Sequence, residues 1–155
     1  MIEYKVKVAD PEQIVEPLLS LLEETESVPL VISGSSMTPF LVHGRDTVYL
    51  SKPEAPFRRG DMLLYRRDSG SYVLHRVYRT EGERLTMVGD AQTCLEPGIR
   101  RDQILARVSA VRRKGKLLKS GSFWWTFFEK IWIRMVPLRP LVRSVYEAFR
   151  RIWKR

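Results

Sequence analysis

The chain has 155 residues, 44% hydrophobic and 29% charged, a balance that fits one globular domain and excludes a disordered segment. A single cysteine, Cys94, excludes an internal disulfide, and with only two histidines no convincing zinc site can be assembled, so no metal or other cofactor is expected. The net charge is +9, and eight basic against two acidic residues from Gly121 onward carry most of it, which excludes a uniformly basic nucleic-acid-binding body.

In chain order, "PEQIVEPLLSLLEE" (11–24) reads as a helix. Asp10 is the expected N-cap, Pro11 suits the first turn, and Gln13 completes a capping box. Ile14, Leu18, Leu21 and Leu22 form the expected apolar stripe, with Pro17 an awkward interior residue. The next ninety residues read as strands rich in Val, Leu and Tyr: 28–33, 46–51, 61–67, 71–79, 84–89 and 104–113. "HGRD", "RRGD", "RDSG", "TEGE" and "RKGK" supply the turns, and the short "RDSGS" and "RTEGER" links predict hairpins. The expected body is mainly β, organised as an N-terminal helical segment (1–27), a β domain (28–118) and a helical tail (119–155).

The tail is expected to form two basic amphipathic helices joined at "VPLRP". Trp124, Phe127, Phe128, Ile131 and Met135 make the first stripe; Leu141, Val145, Phe149 and Ile152 make the second, with Arg143, Glu147, Arg150 and Lys154 elsewhere on the wheel. Two readings stand side by side: the aromatics pack on the β body, or residues 121–155 lie on an anionic membrane surface. Basic residues interleaved with aromatics also suit single-stranded nucleic acid, but no nucleic-acid motif accompanies them.

Between two apolar runs stands "SGSSMTP" (33–39), which holds three serines in four residues. A serine hydroxyl is a poor nucleophile at neutral pH unless a base removes its proton. The two histidines are His43, in the predicted turn "LVHGRD", and His75, inside the strand "SYVLHRVYR". Strand alternation sets Val73, His75 and Val77 on one face and Leu74, Arg76 and Tyr78 on the other, so His75 points into the body or a cleft. On spacing alone, His75 is more readily a hydrogen-bonded core residue than a base, and the serines more readily a turn.

Four boxes tilt that balance. "GSSMTPFL", "RRGDMLLYRR", "YVLHRVYR" and "LTMVGDAQ" resemble, in order, the four boxes of the signal peptidase and LexA-type serine peptidases, across roughly residues 30–110. The resemblance implies coiled antiparallel sheets, Ser36 as nucleophile and His75 as base, in the Ser/His variant rather than the Ser/Lys one. A lysine base must be brought down from about 10.4, whereas histidine starts near about 6.5. The resemblance also makes Asp90 the residue that orients the histidine, and Asp61 a turn residue. It places the Ser36 backbone N–H in the oxyanion hole. Gly34 stands where some relatives carry a serine donor, which leaves Ser33 or Ser35 to replace it. Ala91 replaces a common Asn. Met37 and Pro39 are expected to shape the turn. The boxes together with "GRDTVYL" and "VRRKGK" are also similar to small peptidase-like proteins of Gram-positive bacteria that lack a membrane anchor, in which Arg45-Asp46 recurs; Asp46 is read as structural.

The expected function is therefore a serine endopeptidase that cleaves a peptide or precursor protein. The alternatives are a non-catalytic binding module, or a self-cleaving regulator, on the same fold. Self-cleavage of the LexA kind needs an Ala-Gly or Cys-Gly pair, and neither occurs. No leader-like segment and no run of about 18 apolar residues is visible, so the expected location is the cytoplasm, at the inner face of the cell membrane if the tail lies on lipid.

Overall fold

The computed structural model describes residues 11–153. Helix α1 (Pro11–Glu24) opens it, and strands β1 (Val28–Val31), β2 (Thr47–Ser51), β3 (Met62–Arg66), β4 (Tyr72–Glu81), β5 (Arg84–Val88), β6 (Glu96–Arg100), β7 (Ile104–Arg113) and β8 (Lys116–Lys119) follow. All neighbouring strands pair antiparallel, in the order β1-β2-β7-β3-β4-β5-β6, with β8 also on β7. The protein is thus mainly an antiparallel β structure. Strand β7 organises it: Ile104 to Arg107 pair with β3, whereas Arg107 to Arg112 pair with β2.

The sheet buries both faces, which explains the unbroken "MLLY" of β3. Met62 and Leu64 enter one cluster with Val28, Met37, Phe40, Leu41 and Val108. Leu63 and Tyr65 enter the other with Val77, Leu85, Met87 and Ile99. Strand β6 escaped the sequence reading because it contains Pro97 and Gly98. Among the described strands it lies at an edge, where a missing N–H is tolerated. The short, lysine-ended β8 carried no alternating signal and was missed for that reason.

Two helical expectations need adjustment, and a third is untested. The expected cap Asp10 lies outside the described residues. The buried stripe of α1 is Val15, Leu18, Leu19 and Leu22, with Leu21 exposed, because contact with the sheet selects the face one residue round from the expected one. The first tail segment is also not one regular helix. Helix α2 (Phe123–Thr126) runs into a π turn (Phe127–Ile131) and then a 3₁₀ segment (Trp132–Leu138). The π turn adds one residue to the repeat, so burial passes from Trp125 and Phe128 to Ile133 and Val136, and Ile131 and Trp124 are left exposed. This half of the tail packs on the body. Gly60, at φ +94°, sits so close beneath the π turn that a Cβ there would lie 2.4 Å from the Glu129 carbonyl oxygen. Helix α3 (Arg139–Trp153) buries only Arg139. No helix among the described residues is long and apolar enough to cross a membrane.

Candidate functional site

The loop after β1 carries Ser33, Gly34, Ser35, Ser36 and Met37. Met37 is buried in the core and roots the loop, while its serines stay at the surface. Gly34, at φ +84°, donates its N–H to His43 Nδ1 at 2.9 Å, so His43 braces the loop. Asp46 fixes the loop's far end. Burial alone would raise its carboxyl, but the Arg45 guanidinium and the Val42 and Lys114 N–H groups outweigh that and hold it below the usual carboxylate range. The structural reading of Asp46 agrees with these contacts.

The fourth box supports Ser36 from behind. The Ala91 N–H donates to the Ser36 carbonyl at 2.9 Å, and a Cβ on Gly89 would lie 2.5 Å from that same oxygen. Only glycine permits so close an approach. The Gly89 N–H in turn donates to Gln92 Oε1 at 3.2 Å.

Ser36 and His75 line one cavity of about 230 Å³, with Ser33, Gly34, Met37 and Gln92 among its walls. Ser35 is exposed outside it. The Ser36 hydroxyl and backbone N–H form no hydrogen bond with any other described residue. A larger hollow, about 520 Å³, beside Glu23, Lys52 and Arg107 holds none of the candidate residues.

His75 is buried on β4, and its orienting partner differs from the expected one. Its Nδ1 lies 3.2 Å from the Tyr65 hydroxyl, which donates to Glu96 Oε2 at 2.8 Å. Glu96 is held in turn by Arg67 through two bonds of 2.8 Å. A tyrosine hydroxyl has one proton, and here the carboxylate takes it. The oxygen must therefore accept from His75, which fixes the proton on Nδ1 and leaves Nε2 as a bare lone pair. Burial pulls the His75 pKa down to about 4, opposed by the Glu96 charge. The Arg67 guanidinium holds the Glu96 carboxyl below its ordinary value, and burial followed by the Glu96 carboxylate pushes the Tyr65 hydroxyl up. Every member of the chain Arg67–Glu96–Tyr65–His75 thus has a defined protonation state near neutrality.

The expectation that Asp90 orients His75 is corrected. Asp90 is fully buried against Arg76, whose Nε lies 2.8 and 3.1 Å from its carboxylate oxygens. Arg76 is the neighbour of His75 and so projects from the opposite face of β4. It also donates to the Gly60 carbonyl and stacks on Phe40. Asp61 serves a turn, accepting from the Arg58 N–H and pairing with Arg107.

Sequence reasoning missed Tyr65, Arg67 and Glu96. Two were within reach: a β3–β4 hairpin with Leu63 opposite His75 puts Tyr65 and Arg67 on the histidine's face. Glu96 was not, because it enters through the unpredicted β6. The chain matches no protein-family model, and neither a curated protein nor a solved structure matches it.

Proposed function

We propose that the protein is a serine peptidase of the signal peptidase and LexA-like type, with Ser36 as nucleophile and His75 as base. The observation that carries this reading is a buried imidazole whose Nδ1 is occupied by Tyr65, lining the same cavity as a serine whose hydroxyl has no partner among the described residues. His75 Nε2 takes the Ser36 proton as the serine oxygen attacks the scissile carbonyl. The tetrahedral oxyanion is stabilised by the Ser36 N–H. The imidazolium then protonates the leaving amine and an acyl-enzyme remains. Water, deprotonated by the same nitrogen, cleaves the ester and returns the proton to Ser36. The Glu96 charge, relayed through Tyr65, steadies the transient imidazolium.

Among the described residues strand β1 pairs only with β2, and it leads directly to the serine loop. An extended peptide laid along it gains main-chain hydrogen bonds that are indifferent to side chains. Specificity then falls to the cavity walls, including Ile32, Val73 and Leu74. Gly34 supplies no hydroxyl to the oxyanion, so the cavity-lining Ser33 is the candidate second donor.

The competing reading is a non-catalytic peptide-binding module, favoured by the missing hydrogen bond between Ser36 and His75. A serine-directed fluorophosphonate probe separates the two. The peptidase reading expects labelling of the wild type at Ser36, no labelling of Ser36→Ala, and labelling reduced by about 10²-fold or more in His75→Ala. A folded wild type that resists the probe, or a His75→Ala variant that labels equally fast, removes the catalytic assignment.

A further inference from the structure

Helix α3 stands apart from the rest of the fold. Beyond Arg139, every described residue on it is exposed. Phe149 is 66%, Ile152 73% and Trp153 87% exposed, and Leu141, Val145 and Tyr146 join them. At about 3.6 residues per turn, the apolar residues from Leu141 round to Tyr146 occupy one arc of about 140°. Arg150 and Arg143 follow within the next ~60°, beside the arc's aromatic border. Three exposed arginines, Arg143, Arg150 and Arg151, stand against the single Glu147, which pairs with Arg143 at 3.1 Å, and Lys154 and Arg155 continue the sequence.

The root of the helix is as well defined as its surface is bare. Arg139 Nη1 donates to the carbonyls of Gly89 at 2.8 Å and Gln92 at 2.6 Å, and its Nη2 donates to the Trp132 carbonyl at 3.0 Å. Its guanidinium lies over the Trp132 ring, whose Nε1 donates to the Asp90 carbonyl. The helix is therefore clamped to the segment 89–92, which touches the Ser36 backbone and lends Gln92 to the cavity.

We propose that α3 docks on an anionic phospholipid bilayer, with its aromatic and aliphatic arc in the headgroup boundary and Arg143 and Arg150 on the lipid phosphates. Charge selects this occupant. A second copy of the chain would bring another +9 and a second arginine-rich helix to the contact. An anionic bilayer satisfies both sides of the helix together, and aromatic rings beside arginines suit the headgroup level. Docking holds the Ser36–His75 cavity at the bilayer surface. The binding itself does not depend on the peptidase reading, whereas the value of that placement rests on it.

The test is co-sedimentation of the full chain with vesicles of phosphatidylcholine alone or mixed with phosphatidylglycerol. The expected result is binding to the mixed vesicles that weakens with added salt. Phe149→Glu/Trp153→Glu, two exposed sites that cannot disturb the core, should abolish it. Arg143→Ala/Arg150→Ala should weaken partition by about tenfold or more, since each basic residue near such a surface contributes about fivefold. A wild type left in the supernatant overturns the proposal, as does unchanged binding by Phe149→Glu/Trp153→Glu. So does a dimer in solution that this pair of substitutions dissolves, which would make a second copy the occupant. Probe labelling of Ser36 in the same samples is scored separately, so loss of peptidase chemistry cannot pass for loss of docking.

Discussion

The Tyr65→Phe substitution removes one oxygen atom and tests the whole base assignment. In the wild type that oxygen accepts from His75 Nδ1 and donates to Glu96. Phenylalanine keeps the ring's packing in the second core cluster, so the loss is confined to polar contacts. Glu96 retains both bonds from Arg67. His75 is only 2% exposed and keeps an unpaired N–H, which costs about 1–3 kcal/mol. The ring can escape that cost by moving its proton to Nε2, but then no lone pair is left for the Ser36 proton. General-base assistance is worth about 10²–10⁴ in rate, so Ser36 labelling by the fluorophosphonate should fall by about 10²-fold or more. Stability, read from urea unfolding, should fall by about 1–3 kcal/mol. Imidazole ¹⁵N shifts give an independent readout, with the wild type protonated at Nδ1. Tyr65→Phe labelling at the wild-type rate, or a wild-type ring protonated at Nε2, refutes the tautomer argument even with Ser36 still essential.

Other perturbations separate chemistry from scaffold. With a folded pKa of about 4, His75 stays neutral through weakly acidic conditions, so the acid limb of the labelling profile should lie near pH 4 rather than near the ordinary histidine value of 6.5. Glu96→Gln removes the charge that raises this pKa and should shift the limb lower still; an upward shift would contradict the relay. Between about pH 4 and 6.5 the unfolded chain binds a proton at this position that the folded one does not, so stability rises with pH across that window. His75 accounts for about 3 kcal/mol of the rise, and His75→Asn should flatten it in urea titrations at matched pH. Gly89→Ala forces a Cβ to within 2.5 Å of the Ser36 carbonyl oxygen and should lose about 1–3 kcal/mol together with most labelling, whereas a neutral outcome would mean the serine loop yields freely. Arg76→Met leaves Asp90 buried without its partner and should cost about 3–5 kcal/mol in urea unfolding, with Arg76→Met/Asp90→Leu recovering much of it.

The sequence made the strands legible wherever they alternate or run apolar, from β1 to β5 and again at β7. It hid β6, whose proline and glycine read as a loop and which only an edge position accommodates. The boxes singled out Ser36 and His75, and the structure brings both to one cavity. Glu96 was hidden because its contact with Tyr65 spans 31 positions and depends on a strand that pattern alone does not predict. The tail divided for a comparable reason. A constant helical period cannot foresee a π turn, and that one extra residue moved burial from the expected Ile131 to Ile133.

Strand parity separates Asp90 from His75. His75 and Arg76 are adjacent on β4, so one strand presents an imidazole to one face and a guanidinium to the other. An acid that meets Arg76 with both oxygens cannot also reach His75 across the sheet. The Gly-Asp pair closing β5 instead does two structural jobs: Gly89 admits the Ser36 backbone, and Asp90 neutralises the arginine beneath it. Orientation of the histidine then has to come from its own face, where Leu63, Tyr65 and Val77 are its neighbours. Tyr65 is the polar one among them, and a tyrosine can lend a carboxylate's charge to an imidazole without burying that carboxylate beside it. That arrangement leaves Glu96 at the rim with Arg67, partly solvated, and avoids the desolvation cost of a directly buried Asp–His pair.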